Sequence, residues 1–371
     1  MPPIPPPPTP PLPTPPTPPP PAPAGPTIMG VGDNSQCQLG QGSCGGAQVS
    51  PVPIGTSLVS ARGGQNFACG AQASGILFCW GRNDQGQVGN ASASATVAAP
   101  AALTFPASTL AYAVGASHAC AALQTHALYC WGRNSEGQLG NGSFTTRNTP
   151  GAVSSSKAFV DVSAGTDHTC ALTLGSGQAY CWGANDAGQA NPFSAGSVRV
   201  ITPAQQPGSG WTRVAAGQSM SCLSSGSELV CWGDNANGQL GVGSADAVVV
   251  FPSAALPQAV ASVSSAYGTT CAATPAGSVL CWGAGASGQM GDGGSLPSNH
   301  SPVQVPGIAS QVVSVGGGSV CALHSSFAIF CWGSNSVGQL GLGYAGGASA
   351  TPVPTGSGSY VNASPTNRYH V

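Results

Sequence analysis

A string of eleven residues recurs along this chain at a nearly fixed interval, and no other feature restricts its fold as much. It reads CWGRNDQGQVG from Cys79, CWGRNSEGQLG from Cys130, CWGANDAGQAN from Cys181 and CWGDNANGQLG from Cys231. CWGAGASGQMG follows from Cys281 and CWGSNSVGQLG from Cys331, and a degraded copy, GVGDNSQCQLG, begins at Gly30. Trp80, Trp131, Trp182, Trp232, Trp282 and Trp332 stand 51, 51, 50, 50 and 50 residues apart. So steady a period means one supersecondary unit per repeat, each needing its neighbours to bury its apolar face.

A second signature, V-x-x-G-x-x-H-x-C-A-L, precedes each tryptophan; it is clearest in Val114–Leu123 and Ser163–Leu172. It pairs the cysteines as Cys69/Cys79, Cys120/Cys130, Cys170/Cys181, Cys222/Cys231, Cys271/Cys281 and Cys321/Cys331. Between the partners lie apolar residues broken by a polar or glycine-containing turn, which is a hairpin pattern. Cysteines facing each other across a hairpin are within disulfide reach. Cys37 and Cys44 complete the count of fourteen, Cys37 replacing the first glycine of GQLG. Disulfides explain the even count and the local pairing. Buried thiols acting as small hydrophobes are the alternative. Zinc lacks CxxC pairs and clustered histidines, so no metal is expected. Persistent disulfides imply an oxidising compartment.

These strings resemble the regulator of chromosome condensation repeat family, from Thr27 to the C-terminus. The resemblance implies an all-β, seven-bladed propeller with one four-stranded blade per repeat. Short strands and regular turns at this period agree, and almost no segment shows a sustained helical period. Seven copies of the GxNxxGQLG half are present, but only six cysteine hairpins. The C-terminal YVNASPTNRYHV aligns with FVDVSAGTDHTC, Val361 with Val160 and Ser364 with Ser163. The seventh hairpin is therefore expected to be split between the chain ends. The N-terminal strand would pair with the C-terminal one, with Tyr369 opposite Gly30. Six blades with frayed ends are the alternative.

Residues 1–26 form a separate proline tract that can join neither helix nor sheet. Polyproline II is its expected state, about 80 Å long if fully extended. Its runs look like those of hydroxyproline-rich wall glycoproteins; a plain spacer and a ligand for a proline-reading domain are the other readings. No secretory leader is recognisable after Met1, so the secreted reading expects one upstream.

Only 5% of the 371 residues are charged, the net charge is −2, and Lys157 is the sole lysine. Phosphate neutralisation needs clustered cations, so nucleic acid is not an expected partner. No apolar run of membrane-spanning length occurs, so no span is expected.

Residues present in every copy read as scaffold. The tryptophans are expected to fill the space between neighbouring sheets. The amides of Gln38, Gln87, Gln138, Gln189, Gln239, Gln289 and Gln339 are expected to satisfy backbone groups in their loops. The glycines serve positive-φ turns, and the Asn of WGxN is expected to do likewise. His118 and His168 share a position with Phe67, Met220, Thr269 and Ser319, which marks a packing position. No hydrolase elbow, phosphate loop or close acidic pair occurs, so neither a catalytic residue nor a cofactor is expected.

What differs between copies points to recognition. The x of WGxN is Asp33, Arg82, Arg133, Ala184, Asp234, Ala284 and Ser334. This ring supplies Arg82, Arg133, Asp33 and Asp234 as binding candidates, together with the variable connections after GQLG. Four sequons, at Asn90, Asn141, Asn299 and Asn362, are candidate glycan sites. The expected function is a non-enzymatic protein-binding or structural module, secreted or held at a cell surface or wall. The resemblance also implies two alternatives. The family's nuclear members are exchange factors for the small GTPase Ran and contact chromatin, and a secreted bacterial β-lactamase inhibitor uses the same repeat.

Overall fold

The computed structural model describes residues 28–55, 57–194, 199–246, 248–256, 258–294, 296–355 and 369–370. The proline tract, the Asn362 sequon and the stretch aligned at Val361 and Ser364 lie outside these residues.

The chain opens with β1 (Met29–Gly32) and β2 (Gln48–Pro53). The next repeat gives β3 (Leu58–Gly63), β4 (Phe67–Gln72), β5 (Leu77–Arg82) and β6 (Thr96–Ala102). It is followed by β7 (Thr109–Val114), β8 (His118–Leu123), β9 (Leu128–Gly132) and β10 (Arg147–Ala152). Then come β11 (Phe159–Ala164), β12 (His168–Thr173), β13 (Ala179–Gly183) and β14 (Val200–Gln205). Two further sets are β15 (Arg213–Ala216), β16 (Met220–Ser224), β17 (Leu229–Asp234) and β18 (Val248–Leu256), and β19 (Ser262–Ala266), β20 (Thr269–Ala273), β21 (Val279–Ala284) and β22 (Ser298–Gln304). The last full set is β23 (Ser310–Val315), β24 (Ser319–His324), β25 (Ile329–Ser334) and β26 (Ala348–Pro354), and β27 (Tyr369–His370) ends the series. Pro192–Ser194 makes one turn of 3-10 helix.

Each full set is one antiparallel four-stranded sheet in sequence order. Its first strand lines a central channel, so the six sheets stand as blades around an axis. The second strand of a blade is packed on both faces: β8 and β12 are buried at every position. The fourth strand is half-exposed, as in β6 and β14. All six repeat tryptophans are fully buried. Trp182 shares its cluster with Leu139 and Ala122 of the preceding blade and Phe159 of its own. The apolar core is thus a series of inter-blade seams, as the repeat requires.

In each hairpin the cysteines are directly opposed across the second and third strands, as Cys120 and Cys130 are between β8 and β9. Their Cα atoms lie 4.0 to 4.1 Å apart, and all six pairs are at disulfide distance. Cys37 and Cys44 form a seventh pair with Cα atoms 4.2 Å apart.

The glycine of CWG sits where the ladder between third and fourth strands shifts register, as at Gly132 between β9 and β10. Gly132 has φ +97°, and a Cβ there would lie 2.6 Å from the Ser117 carbonyl oxygen. No other residue fits that bulge without moving the neighbouring turn.

Of the seven four-stranded blades expected, the described residues show six. Six sheets are four-stranded, and the chain ends form a three-stranded sheet ordered β2-β1-β27. Among the described residues two pairs join the ends, Val31 with His370 and Gly32 with Tyr369. Tyr369 therefore faces Gly32, not Gly30. This is the register of the complete blades, where His168 faces Gly183.

Candidate functional site

The repeated loops form one face of the propeller and are built by side chain to backbone bonds. In Asn134 the side-chain oxygen accepts the Leu139 amide at 2.9 Å, while Nδ2 donates to the carbonyls of Ser143 and Thr145 at 2.8 and 3.0 Å. The equivalent Asn83, Asn185, Asn235 and Asn335 accept the same amide. These asparagines act through their side chains and not through a positive φ. Gln138 Oε1 accepts the Glu136 amide at 2.9 Å, and all seven glutamines repeat this bond.

The main-chain oxygen of the glutamine makes the link between blades. Gln138 O accepts the indole N–H of Trp182 from the next blade at 2.9 Å. Trp80, Trp131, Trp282 and Trp332 bond likewise to Gln38, Gln87, Gln239 and Gln289. Gly140, at φ +62°, lies against the same indole; a Cβ there would approach Trp182 Nε1 to 2.7 Å. Cys37 holds a left-handed φ of +61° where the other loops have glycine. Its cross-link to Cys44 offsets a conformation that costs a non-glycine residue about 1 kcal/mol.

The candidate ring residues are anchored in different ways. Arg82 pairs with Asp84 of its own loop at 2.6 Å. Partial burial raises the Asp84 carboxyl, but the hydrogen bonds from Arg82 and Gln87 draw it below its ordinary range. Arg133 reaches the next blade, 2.9 Å from Asp167, and lies 3.9 Å from Glu136. Burial outweighs Arg133 at Asp167 and leaves its carboxyl above the usual value. Arg199 closes the cluster by donating to Glu136. Asp33 is buried, accepts the Ser35 amide and hydroxyl at 2.9 and 3.1 Å, and so shapes its own turn. Asp234 accepts the Ala236 amide at 3.1 Å and Gln239 Nε2 at 2.9 Å. Arg82 and Arg133 thus share a face with Asp33 and Asp234, but among the described residues each of the four is bonded to a partner outside the set.

His118 and His168 are fully buried at the seams of three consecutive blades. The Thr169 hydroxyl donates to Gln138 O at 2.9 Å, so it can only accept from His118 Nε2, also at 2.9 Å. Ser221 repeats this relation between Gln189 O and His168 Nε2. Each ring therefore carries a proton on Nε2. Burial pushes His118 down to about 3, aided by the charges of His168 and Arg133. It pushes His168 down to about 4 despite a backbone bond at Met220.

The channel wall carries charges that the repeat pattern does not mark. Arg62 of β3, Asp161 of β11 and Arg213 of β15 line it among alanines, serines and valines. Their one sequence signal is a charged residue in a strand of a chain with 5% charge. Elsewhere Ser163, Ser262 and Ser264 accept the amides of Ala216, Val313 and Val315 in the next inner strand. Those hydroxyls satisfy backbone groups on strands that have no pairing partner on the channel side.

Of the sequons, Asn90 accepts the Ser92 amide at 3.1 Å. Asn299 lies within β22 opposite Gly283. The Asn141 oxygen accepts from Ser143, and its Nδ2, the atom a glycan would join, is buried. Among the described residues no group of metal-binding side chains occurs, and no helix is long and apolar enough to cross a membrane.

Residues 27–364 match the family description "RCC1-like domain". The chain is 30% identical over 173 residues to the human probable E3 ubiquitin-protein ligase HERC6, covering 44% of this chain and 16% of HERC6. Among solved structures it is similar to Prp20p of Saccharomyces cerevisiae, with a TM-score of 0.83 at 20% identity over 93% of this chain and 91% of that one. Human WBSCR16 is similar too, with a TM-score of 0.81 at 20% identity over 93% of this chain and 97% of the other. At these identities the two structures speak to the fold, and HERC6 is matched over a small part of its length.

Proposed function

The chain belongs to the RCC1-like domain family, and from that premise we propose that it is a non-enzymatic propeller module whose loop face captures a protein partner. One observation carries this reading. Four large apolar side chains, Phe144, Phe193, Leu296 and Tyr344, are 52, 74, 62 and 58% exposed, all in the connections that follow the repeated loops. They share that face with Arg82, Arg133 and Arg199. Exposed aromatics beside arginines are the usual material of binding hot spots. Each of these guanidiniums already shares a carboxylate. An acidic block on the partner would have to displace Asp84, Asp167 or Glu136, so a carbonyl-rich and apolar partner surface fits better. Prp20p has binding properties to Gsp1p and histones, and yeast RCC1 (Prp20) has been solved bound to Kap60. Those partners belong to those proteins; they support only the use of this scaffold in protein recognition.

We place the module in an extracellular, cell-surface or wall setting. Seven cysteine pairs at disulfide distance and no free cysteine support this, as do the proline tract and the Asn90 sequon. The same reading treats the three-stranded sheet as a seventh blade, built from both ends of the chain, that closes the circle. The match between Gly32–Tyr369 and Gly183–His168 supports it. Deleting residues 27–32 should then lower the melting temperature, while deleting 2–24 should not; equal effects would remove the closure.

The functional test is capture from extracellular extract by the immobilised full chain. Phe144→Ala with Tyr344→Ala, and separately Arg82→Ala with Arg133→Ala, should each weaken capture by roughly 2 kcal/mol. Unchanged capture with both pairs would move the contact off this face. No specific capture by the wild type would favour a structural wall component.

A further inference from the structure

The channel wall is nearly uncharged, which makes its three exceptions informative. Arg62 pairs in register with Cys69. Its counterparts opposite the hairpin cysteines are Ala113, Ser163, Ala215, Ser264 and Ser314. Asp161 and Arg213 occupy one shared register position on neighbouring blades, facing Leu172 and Ser224. Ser60, Ala111, Ser262 and Val312 stand there elsewhere. Small side chains are thus the rule at both levels, and long charged ones replace them on three blades only.

The charges do not cancel. Two cations and one anion line the channel. Burial raises the Asp161 carboxyl above its ordinary range, although both guanidiniums lower it through their charge. Arg213 donates to the Ala261 and Thr212 carbonyls at 3.3 and 2.9 Å. Arg62 lies over the Tyr112 ring at 5.6 Å, which holds its stem to one side of the wall. Among the described residues lining the channel no second carboxylate is present.

The loop-face mouth bears a separate oddity. Tyr267, between β19 and β20, has φ +48° and is followed by Gly268 at φ +77°. A two-residue turn with both φ positive favours Asn-Gly, and an aromatic there is strained. Tyr267 lines the channel and is 39% exposed. Arg213 begins its strand whereas Tyr267 follows the end of its own, so the two mark opposite mouths with Arg62 between. The channel volume is about 360 Å³, at the small end of ligand sites.

We propose that the central channel binds a small carboxylate ligand, its anionic group held by Arg62 and Arg213 and its body extending toward Tyr267. A carboxylate accepts two parallel N–H bonds from a guanidinium. One such group supplies the negative charge that the Arg–Asp–Arg set lacks. Sugar acids and amino-acid carboxylates share this chemistry and are separated by the choice of probe.

Isothermal titration of the oxidised full chain with glucuronate, N-acetylglutamate, glucose and inorganic phosphate tests this. A carboxylate probe should bind saturably and glucose should not; whichever of the two carboxylates binds more tightly identifies the source. Arg62→Ala or Arg213→Ala should weaken binding about tenfold, as loss of a charge-assisted pair requires. If either fails to fold, Arg→Lys at the same site keeps the charge, loses the fork and should still weaken binding. Asp161→Asn should tighten binding by removing the competing carboxylate. Tyr267→Asn keeps the turn and should weaken binding severalfold; unchanged affinity removes Tyr267 from the site. Arg82→Ala with Arg133→Ala should leave probe binding intact, which separates this site from the loop face. Lack of saturable binding by either carboxylate overturns the proposal. So does phosphate binding as tightly as both, or affinity that neither arginine changes.

Discussion

The ring of repeated loops and the wall of the central channel come from the same six units, only a few residues apart in each. In the loops the units agree. Asn in six copies and Gln in all seven make the same loop bonds, and five indoles reach a glutamine carbonyl. Along the wall they disagree: register positions that hold alanine or serine in most blades hold Arg62, Asp161 and Arg213 in others. The loops must close each seam, and every seam has the same shape, so any change is penalised everywhere. The wall faces open space, where a longer side chain displaces only water. Substitutions in the two regions should therefore differ in size and in kind.

The largest expected effect is in the loop ring. Trp182→Ala removes a fully buried indole and leaves Gln138 O with one donor fewer. It should cost about 3–5 kcal/mol, whereas Arg62→Ala on the wall should cost less than about 1 kcal/mol. Urea unfolding midpoints of the two variants make the comparison. Equal losses would show that the wall is scaffold as well.

Acid should act almost as strongly, and at two seams only. His118 and His168 have folded pKa values of about 3 and about 4, against about 6.5 in the unfolded chain. Between these limits the unfolded chain binds more protons, so stability is complete above pH 6.5 and falls as pH drops. At pH 5 each histidine should have lost about 2 kcal/mol. His118→Phe with Thr169→Ala copies the Phe67–Ala119 seam and should abolish half of that loss in denaturant titrations at pH 5 and 7. If acid sensitivity survives unchanged, the seam histidines are not its source.

Replacing Cys120 and Cys130 by alanine should cost about 2–3 kcal/mol on the loop-entropy account. That loss should vanish when wild type and variant are compared under reducing conditions. A difference that persists would mean that the thiols contribute by packing alone.

The smallest effect belongs to the exposed ion pairs. Arg82→Ala and Arg133→Ala should together change stability by no more than about 1 kcal/mol, measured as a melting shift in low and high salt. Ala184 and Ala284 already occupy the same position in other blades. A larger, salt-independent loss would place Arg133 and Asp167 in the seam with Trp182.

Much of the loop ring was legible because each of its residues appears many times. Seven copies of Gln mark a scaffold role, and pairing one hairpin's cysteines pairs all six. The same repetition hid the acceptor of the indole bond, which is a main-chain carbonyl 42 to 44 residues upstream and carries no side-chain signature. The Arg133–Asp167 pair spans 34 residues and occurs once, so no periodicity could reveal it. Only their charge could have drawn attention to Arg62, Asp161 and Arg213.

Sequence alone determined the period, the hairpins, the cysteine partners and the burial of the tryptophans. These depend on neighbours along the chain or on copies of one unit, and local geometry suffices for them. Tertiary structure decided what lies across a seam or across the axis. It placed the Gln138 carbonyl under Trp182 and fixed the Nε2 proton of each buried histidine. It joined the chain ends in a three-stranded sheet and left two guanidiniums with one carboxylate in the channel. Such contacts depend on the angle at which successive blades stand, which is set by how six seams pack together and is written in no single repeat.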